Sequence, residues 1–397
     1  MRSMMRDLGG LRIAIASDTW APQLNGVTRT LGRLVAEARR RGADVRVFTA
    51  HDPACRQGQP EVTAFPSRPF WAYPQLRMSW PGAARLTTLW EGWRPDLVHA
   101  ATPFGVGLAA RAAARALAIP FVTSYHTSLS QYAAFYRLGF LTQPGWAFLR
   151  WFHNSGLRTW CPTAAIANDL RARGFTGTAV WSRGVDAAAF SPAWRSPVFR
   201  RDHGVGDGDV LVAYVGRIAR EKGIDSLMEG MRRAMRARDV SLRLMMVGDG
   251  PYEDRARATA PPSTIFTGTL SGHELSTAFA SADIFVFPSL TDTFGNVVLE
   301  AMASGLPVVG ADCPVTRELI GSGAGLMFEG PSRLAAELVR LARSSTERSA
   351  MAVRGRLQAE SRTWEAVFDG LFSEYLELSG VGAGSRNSFG VNEFKAA

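Results

Sequence analysis

Lysine is almost missing from this chain: of 45 basic residues only Lys222 and Lys395 are lysine, and the rest are arginine. Lys222 therefore marks a place where an ammonium was kept against an arginine background. Cysteine is scarce too. Cys55, Cys161 and Cys313 are odd in number and form no C-x-x-C pair, which argues against a disulfide framework or a zinc site. After Arg2 and Arg6 the first apolar run is far too short for a signal peptide or a spanning helix, so the expected location is the cytoplasm. A D-x-D pattern, Asp207-Gly208-Asp209, falls just ahead of a strand and reads as turn chemistry rather than as a metal site.

The 397 residues, 46% hydrophobic and 20% charged, have the composition of a globular protein too long for one ordinary core. Strand-like and helical runs alternate throughout, the pattern of parallel sheets covered by helices. Strands are expected near 11–16, 44–49, 96–100, 120–125, 159–162 and 178–181, then near 209–215, 241–247, 263–267, 283–287, 307–310 and 325–328. The fold class is thus α/β, with two Rossmann-like domains over residues 1–192 and 198–362. The segment 191–208, holding Pro192, Pro197, Gly204, Gly206 and Gly208, is the expected linker. Residues 379–397, rich in Gly and Ser, read as a disordered tail.

Charge is divided unevenly. Residues 1–197 carry 23 basic and 10 acidic side chains, and residues 198–397 carry 22 and 25. A basic first half implies an anionic partner. Aromatic residues are interleaved with its arginines in Arg68-Pro69-Phe70-Trp71-Ala72-Tyr73 and in Trp146-Ala147-Phe148-Leu149-Arg150-Trp151-Phe152. The second run suits a membrane interface, near which Arg150 and Arg158 would meet anionic head groups. It equally suits a buried helix with snorkelling arginines.

The most informative stretch is Thr291 to Val309. Two acids, Asp292 and Glu300, bracket a loop that enters a helix expected over Val297–Ser304, closed by Gly305 and Pro307. The amides of Phe294, Gly295 and Asn296 would lie at the helix N-terminus, which favours a phosphate or a sugar oxygen. Glu300, four residues after Asn296, projects on the same face. In isolation the acids also fit a helix cap and a solvated helix acid. Upstream, a strand over 209–215 runs into Gly216-Arg217-Ile218-Ala219-Arg220-Glu221-Lys222-Gly223, where Arg217 offers a planar fork and Lys222 a point charge for a diphosphate.

The acidic pair and its continuation through Glu300-Ala301-Met302-Ala303-Ser304-Gly305-Leu306-Pro307-Val308-Val309 resemble the acid-x7-acid signature of the family 4 glycosyltransferases, which retain anomeric configuration and have the GT-B fold. The family usually has Glu at the first position, and this chain has Asp292. The Gly-Arg-x4-Lys-Gly spacing resembles the family's phosphate-binding pair. The resemblance implies that Asp292, Phe294, Gly295 and Asn296 hold the donor sugar, Glu300 the ribose, and Arg217 and Lys222 the diphosphate. It places Gly26, in the loop Ser17-Asp18-Thr19-Trp20-Ala21-Pro22-Gln23-Leu24-Asn25-Gly26-Val27, at the phosphate and acceptor side, with Asp18 a cleft candidate. His126, in Tyr125-His126-Thr127 after a strand, resembles the family's active-site histidine that contacts the transferred sugar; no feature marks it as a general base. Arg183, in Trp181-Ser182-Arg183-Gly184-Val185-Asp186, fits the cleft or a linker salt bridge equally. The last helix, about 363–378, would cross back to the first domain.

The chain looks most like α-mannosyltransferases and related glycolipid-forming enzymes, and this resemblance implies a metal-independent hexosyltransferase without a cofactor. Its partners are a nucleotide sugar, most like GDP-mannose, and a lipid or glycan acceptor, with peripheral contact to an anionic membrane at the inner face of the plasma membrane and no nucleic acid. A UDP-sugar donor of the glucosyl or sulfoquinovosyl type stays open. A phosphorylase of the same architecture would need a pyridoxal-phosphate lysine, and Lys222 is already assigned to phosphate. A nucleic-acid-binding protein would explain the basic half and leave the acidic pair unexplained.

Overall fold

The computed structural model describes residues 7–23, 26–55, 61–70, 73–126, 142–321 and 323–381. The strands fall into two parallel sheets. The first is built from β1 (Arg12–Ser17), β2 (Asp44–Ala50), β3 (Val62–Phe65), β6 (Leu97–Ala100), β7 (Phe121–Ser124), β8 (Thr159–Cys161) and β9 (Thr178–Val180), in the order β3-β2-β1-β6-β7-β8-β9. The second contains β10 (Asp209–Val215), β11 (Ser241–Val247), β12 (Ile265–Gly268), β13 (Ile284–Phe287), β14 (Val308–Ala311) and β15 (Gly325–Phe328), in the order β12-β11-β10-β13-β14-β15. A separate antiparallel pair, β4 (Arg68–Phe70) and β5 (Tyr73–Met78), and the strand β3 were not expected. In β4 and β5 proline and arginine interrupt any apolar run that would signal burial, and β3, Val62-Thr63-Ala64-Phe65, is too short and too mixed to give one.

The central strands are apolar runs because both their faces are covered. Along β10, Leu211, Ala213 and Val215 enter one core layer while Val210, Val212 and Tyr214 enter the opposite one. In β1, Ile13 and Ile15 face one layer and Ala14 and Ala16 the other. Each sheet reverses its strand order once, between β1 and β6 and between β10 and β13. At such a switch point the loops leave the carboxyl ends of neighbouring strands in opposite directions and open a crevice.

The final helix, Trp364–Ser379, packs on the first sheet, where Phe368, Leu371, Phe372 and Tyr375 join the layer holding Ile13, Leu31 and Val122. Burying such side chains is worth about 1.5–3 kcal/mol each, whereas a partly exposed pair such as Arg158–Glu374 adds about 0–1 kcal/mol. Apolar packing therefore docks this helix. The segment expected as a linker is folded instead. Ser191 and Ser196 cap a 3-10 turn (Pro192–Trp194) and a helix (Pro197–Asp202), each with proline in its first turn. Arg200 is buried and donates to Asp283 and to the carbonyls of Ser281 and Asp209. The two crossings between the sheets run side by side, with the Val185 amide donating to the Arg362 carbonyl at 2.9 Å.

The run 146–152 lies on the helix Thr142–Asn154. Trp146, Leu149 and Phe152 are buried, while Ala147, Arg150 and Trp151 are exposed, the Trp151 ring lying under the Arg111 guanidinium at 4.0 Å. In the other aromatic run, residues 71 and 72 lie outside the described residues, as does the tail beyond residue 381. Among the described residues no helix is long and apolar enough to cross a membrane.

Candidate functional site

The switch point of the second sheet gathers the charged residues read from the sequence. Arg217 leaves the end of β10, and Asp292 leaves the end of β13. A 3-10 turn over Arg220–Lys222 ends at Gly223 with φ 74°, where a Cβ would fall 2.2 Å from the Pro288 carbonyl oxygen. Glycine alone allows this approach, which brings the two loops together. The Lys222 ammonium forms an ion pair with the Asp292 carboxylate, and the Arg217 guanidinium forms one with Glu221. Glu221 is almost fully buried. Sequence reading missed it, although its i+4 offset from Arg217 was a legible sign of a fixed guanidinium.

The helix expected at 297–304 runs over Asn296–Ala303 and stops at Gly305 with φ 76°. It starts at Gly295, φ 92°, whose Cβ would lie 2.7 Å from the Phe287 ring. Phe294 contributes its ring to the second core, so what it can offer a ligand is its amide. Asn296 Oδ1 and Glu300 Oε2 are buried without a hydrogen-bond partner. Both residues line a cavity shared with Arg29 and Arg33 of the helix Gly26–Arg40, and with Asp186 and Trp364 of the crossing segments. Burial raises the Glu300 carboxyl to about 6, against the opposing charges of Arg29 and Arg33. An unpartnered buried acceptor is costly, and this pair is shaped to receive hydroxyl donors.

The first lobe supplies the facing wall. His126 follows β7 and its carbonyl accepts a hydrogen bond from Thr293 Oγ1 at 2.8 Å, so the cleft residues of the two lobes touch. Both ring nitrogens are engaged, Nδ1 by Arg183 Nη2 at 3.1 Å and Nε2 by Ser124 Oγ at 2.7 Å. Burial, with the charge of Arg183 second, lowers the His126 pKa well below its ordinary value. Arg183 is buried and, among the described residues, meets no carboxylate: it donates to the carbonyls of Trp181 and Ser182 and lies over the Trp181 ring at 4.6 Å. The linker salt bridge considered for it is not formed. Gly26 opens its helix, and a Cβ there would meet nothing within 4 Å; the protein itself does not demand glycine at that place.

Asp18 is not presented to the cleft. It sits at the switch point of the first sheet, 1% exposed, with one oxygen accepting from Thr102 Oγ1 at 2.6 Å and the other from the Val106 amide at 2.9 Å. It caps the helix Gly105–Ala116 from outside that helix. Asp209 of the D-x-D pattern accepts from the Gly206 amide and pairs with Arg243, which is turn chemistry. A second contact between the lobes also escaped sequence reading: the Glu318 carboxylate accepts from the amides of Ala164 and Ala165 at 2.9 and 2.7 Å. A helix N-terminus attracts a carboxylate, but no local pattern says that it will come from the other lobe.

Residues 24–189 match the family model described as Glycosyltransferase Family 4, and residues 209–344 match the one described as Glycosyl transferases group 1. The chain is 35% identical to a GDP-mannose-dependent alpha-mannosyltransferase of Mycobacterium tuberculosis over 94% of its own length and 98% of the relative's. It is 36% identical to the sulfoquinovosyl transferase SQD2 of Arabidopsis thaliana over 72% of its length and 57% of that protein. Among solved structures, Anabaena Alr3699/HepE in complex with UDP-glucose superimposes with a TM-score of 0.73 at 19% identity, covering 92% of this chain and 99% of that one. The two-sheet architecture is the GT-B fold.

Proposed function

The chain belongs to glycosyltransferase family 4, and from that premise we propose that it moves a hexose, α-mannose from GDP-mannose, to a lipid or glycan acceptor with retention of configuration. The observation that carries this reading is the convergence of Arg217, Lys222 and Asp292 at one switch point, beside the amides of residues 294–296. The donor diphosphate takes Lys222 from Asp292, and the released carboxylate accepts a sugar hydroxyl. Glu300 and Asn296 receive the ribose hydroxyls. The bond between the anomeric carbon and the diphosphate oxygen breaks while the acceptor oxygen bonds the same carbon from the same face, and the acceptor proton passes to the leaving oxygen. Arg217 and Lys222 stabilise the charge that develops on that oxygen, the dominant contribution when no covalent nucleophile is present. His126 closes the sugar end as a wall rather than a proton acceptor, since both ring nitrogens are engaged. A basic first half suits an acceptor on an anionic surface.

The likeness to a sulfoquinovosyl transferase favours one second reading, a UDP-sugar donor used to make a glycolipid. A thermal-shift panel of GDP, UDP and ADP separates the two, because a ligand at 100 times its Kd adds about 2.7 kcal/mol. Stabilisation by GDP alone supports the mannosyl reading, and by UDP alone the second. No shift with either overturns both.

A further inference from the structure

The site histidine is the end of a buried chain of side chains that none of the proposed reaction steps uses. Arg183 Nη2 meets His126 Nδ1 at 3.1 Å, and His126 Nε2 meets Ser124 Oγ at 2.7 Å. Ser124 Oγ meets His99 Nε2 at 2.7 Å, and His99 Nδ1 meets Tyr375 Oη at 2.6 Å. Four places in the chain contribute: the crossing segment, the ends of β7 and β6, and the C-terminal helix. Ser124 is 2% exposed, and His99 and Tyr375 are fully buried. Trp181 lies 5.9 Å from the His99 ring and 5.8 Å from the His126 ring, and Trp160 lies 5.2 Å from His99. These indoles wall the chain in.

Hydrogen positions along it are set from one end. A guanidinium has donors and no acceptor, so His126 Nδ1 must hold a lone pair and the ring proton must sit on Nε2. Ser124 Oγ accepts a hydrogen bond from that N–H and donates its own hydroxyl hydrogen to His99 Nε2. His99 then carries its proton on Nδ1 and donates to the Tyr375 hydroxyl. Reversing the direction would put an N–H of His126 against an N–H of Arg183. Burial lowers the His99 pKa to about 3, with the charge of Arg183 adding to the effect, which agrees with a neutral ring. Inside a dry wall, each such bond strengthens its neighbours, and one missing partner is expensive.

We propose that Ser124, His99 and Tyr375 are positioning residues: with Arg183 they lock His126 as its neutral Nε2-protonated form and hold it against Thr293 of the opposite lobe. The C-terminal helix, by supplying Tyr375, thus completes the wall of the cleft from behind. The consequence for transfer rests on the glycosyltransferase reading. The lock itself does not.

The full chain, labelled with nitrogen-15 histidine, tests both parts. Long-range proton-nitrogen spectra, assigned with His99→Gln and His126→Gln, are expected to show His126 protonated on Nε2 and His99 on Nδ1. In Tyr375→Phe both tautomers should persist, because Arg183 sets them, but His99 Nδ1 loses its acceptor, so its resonance should move and the His126 nitrogen resonances should shift with it, although two side chains separate that site from the change. Transfer by Tyr375→Phe and Ser124→Ala should fall about tenfold in kcat with the donor KM unchanged, the mark of an interaction that matters in the transition state; Ser124→Thr should recover it. A His126 proton on Nδ1 in the parent protein overturns the lock whatever the activity. Full kcat in Tyr375→Phe overturns the positioning role. A parent protein that transfers no sugar yet shows the expected tautomers would sink the functional reading and leave the lock standing.

Discussion

The two sheets reverse their strand order in the same way, and the residues at the two reversals have opposite fates. In the first sheet the crevice is filled by Asp18, whose carboxylate is spent on Thr102 and on the amide of Val106. In the second it is spanned by Lys222 and Asp292, whose side chains keep 17% and 20% of their surface in contact with solvent. Asp18 satisfies groups that belong to the fold, and no ligand can replace it without uncapping a helix. The Lys222–Asp292 ion pair spans two loops that also meet at Gly223 and Pro288 and through the Thr291 hydroxyl on the Glu221 carbonyl; in the proposed reaction a diphosphate takes over one partner and a hydroxyl the other. One topology therefore yields a buried structural plug in one lobe and a partly exposed ion pair in the other.

The sharpest way to break this comparison is to remove one member at each reversal. Lys222→Ala is expected to lower kcat/KM about 10²–10³-fold, the loss typical of a group that stabilises developing charge, while urea unfolding stays near that of the parent. Asp18→Ala should do the reverse. Leaving the Val106 amide and the Thr102 hydroxyl buried without their acceptor costs about 1–3 kcal/mol of stability, read by the same urea titration, with transfer per folded molecule retained. Equal effects of the two changes on transfer would erase the distinction.

A pH titration sharpens it further, because burial raises both Asp18 and Glu300 to about 6. Only Glu300 has a buried oxygen without a partner. Nucleotide affinity should weaken as pH falls through about 6, by about tenfold per unit once Glu300 is protonated, and Glu300→Gln should flatten that profile. Calorimetric affinities from pH 5 to 8 decide it. The smallest effect concerns stability. A carboxyl whose folded pKa lies above its unfolded value binds more protons in the folded state between roughly pH 4.5 and 6, so stability falls as pH rises through that window and is level above it. Glu300→Gln removes this penalty. It should gain about 1–2 kcal/mol over the parent above pH 6 and lose that gain near pH 4.5. A gain that does not depend on pH would point to packing instead.

Much of this could be read from residues in order. The buried strands announced themselves as apolar runs, and the helix after Asp292 showed its end in Gly305 and Pro307, because these signals are local. The hairpin of β4 and β5 was missed because its prolines and arginines break any apolar run, and the edge strand β3 because four residues that mix threonine with apolar side chains give no clear pattern. The segment 191–208 looked like a linker for its prolines and glycines, yet Ser191-Pro192 and Ser196-Pro197 are helix starts and Arg200 anchors them to the second lobe. Asp18 looked like a cleft residue because its loop resembles the one that faces the donor and acceptor in the family. Its real partners, Thr102 and Val106, lie more than eighty residues away.

The order of residues was enough for the two parallel sheets and for the acidic pair about a helix N-terminus, which rest on apolar runs, on spacing along the chain and on the glycine and proline that close the helix. That Arg217 and Lys222 go with the acidic pair came from the family resemblance. Only the folded chain shows which carboxylate is consumed by the fold and which keeps a buried oxygen without a partner, that Lys222 pairs with Asp292, and that Arg183 faces a histidine instead of an acid. Those outcomes depend on burial and on partners brought from distant strands, and a charged group's chemistry is set by what surrounds it rather than by its neighbours in sequence.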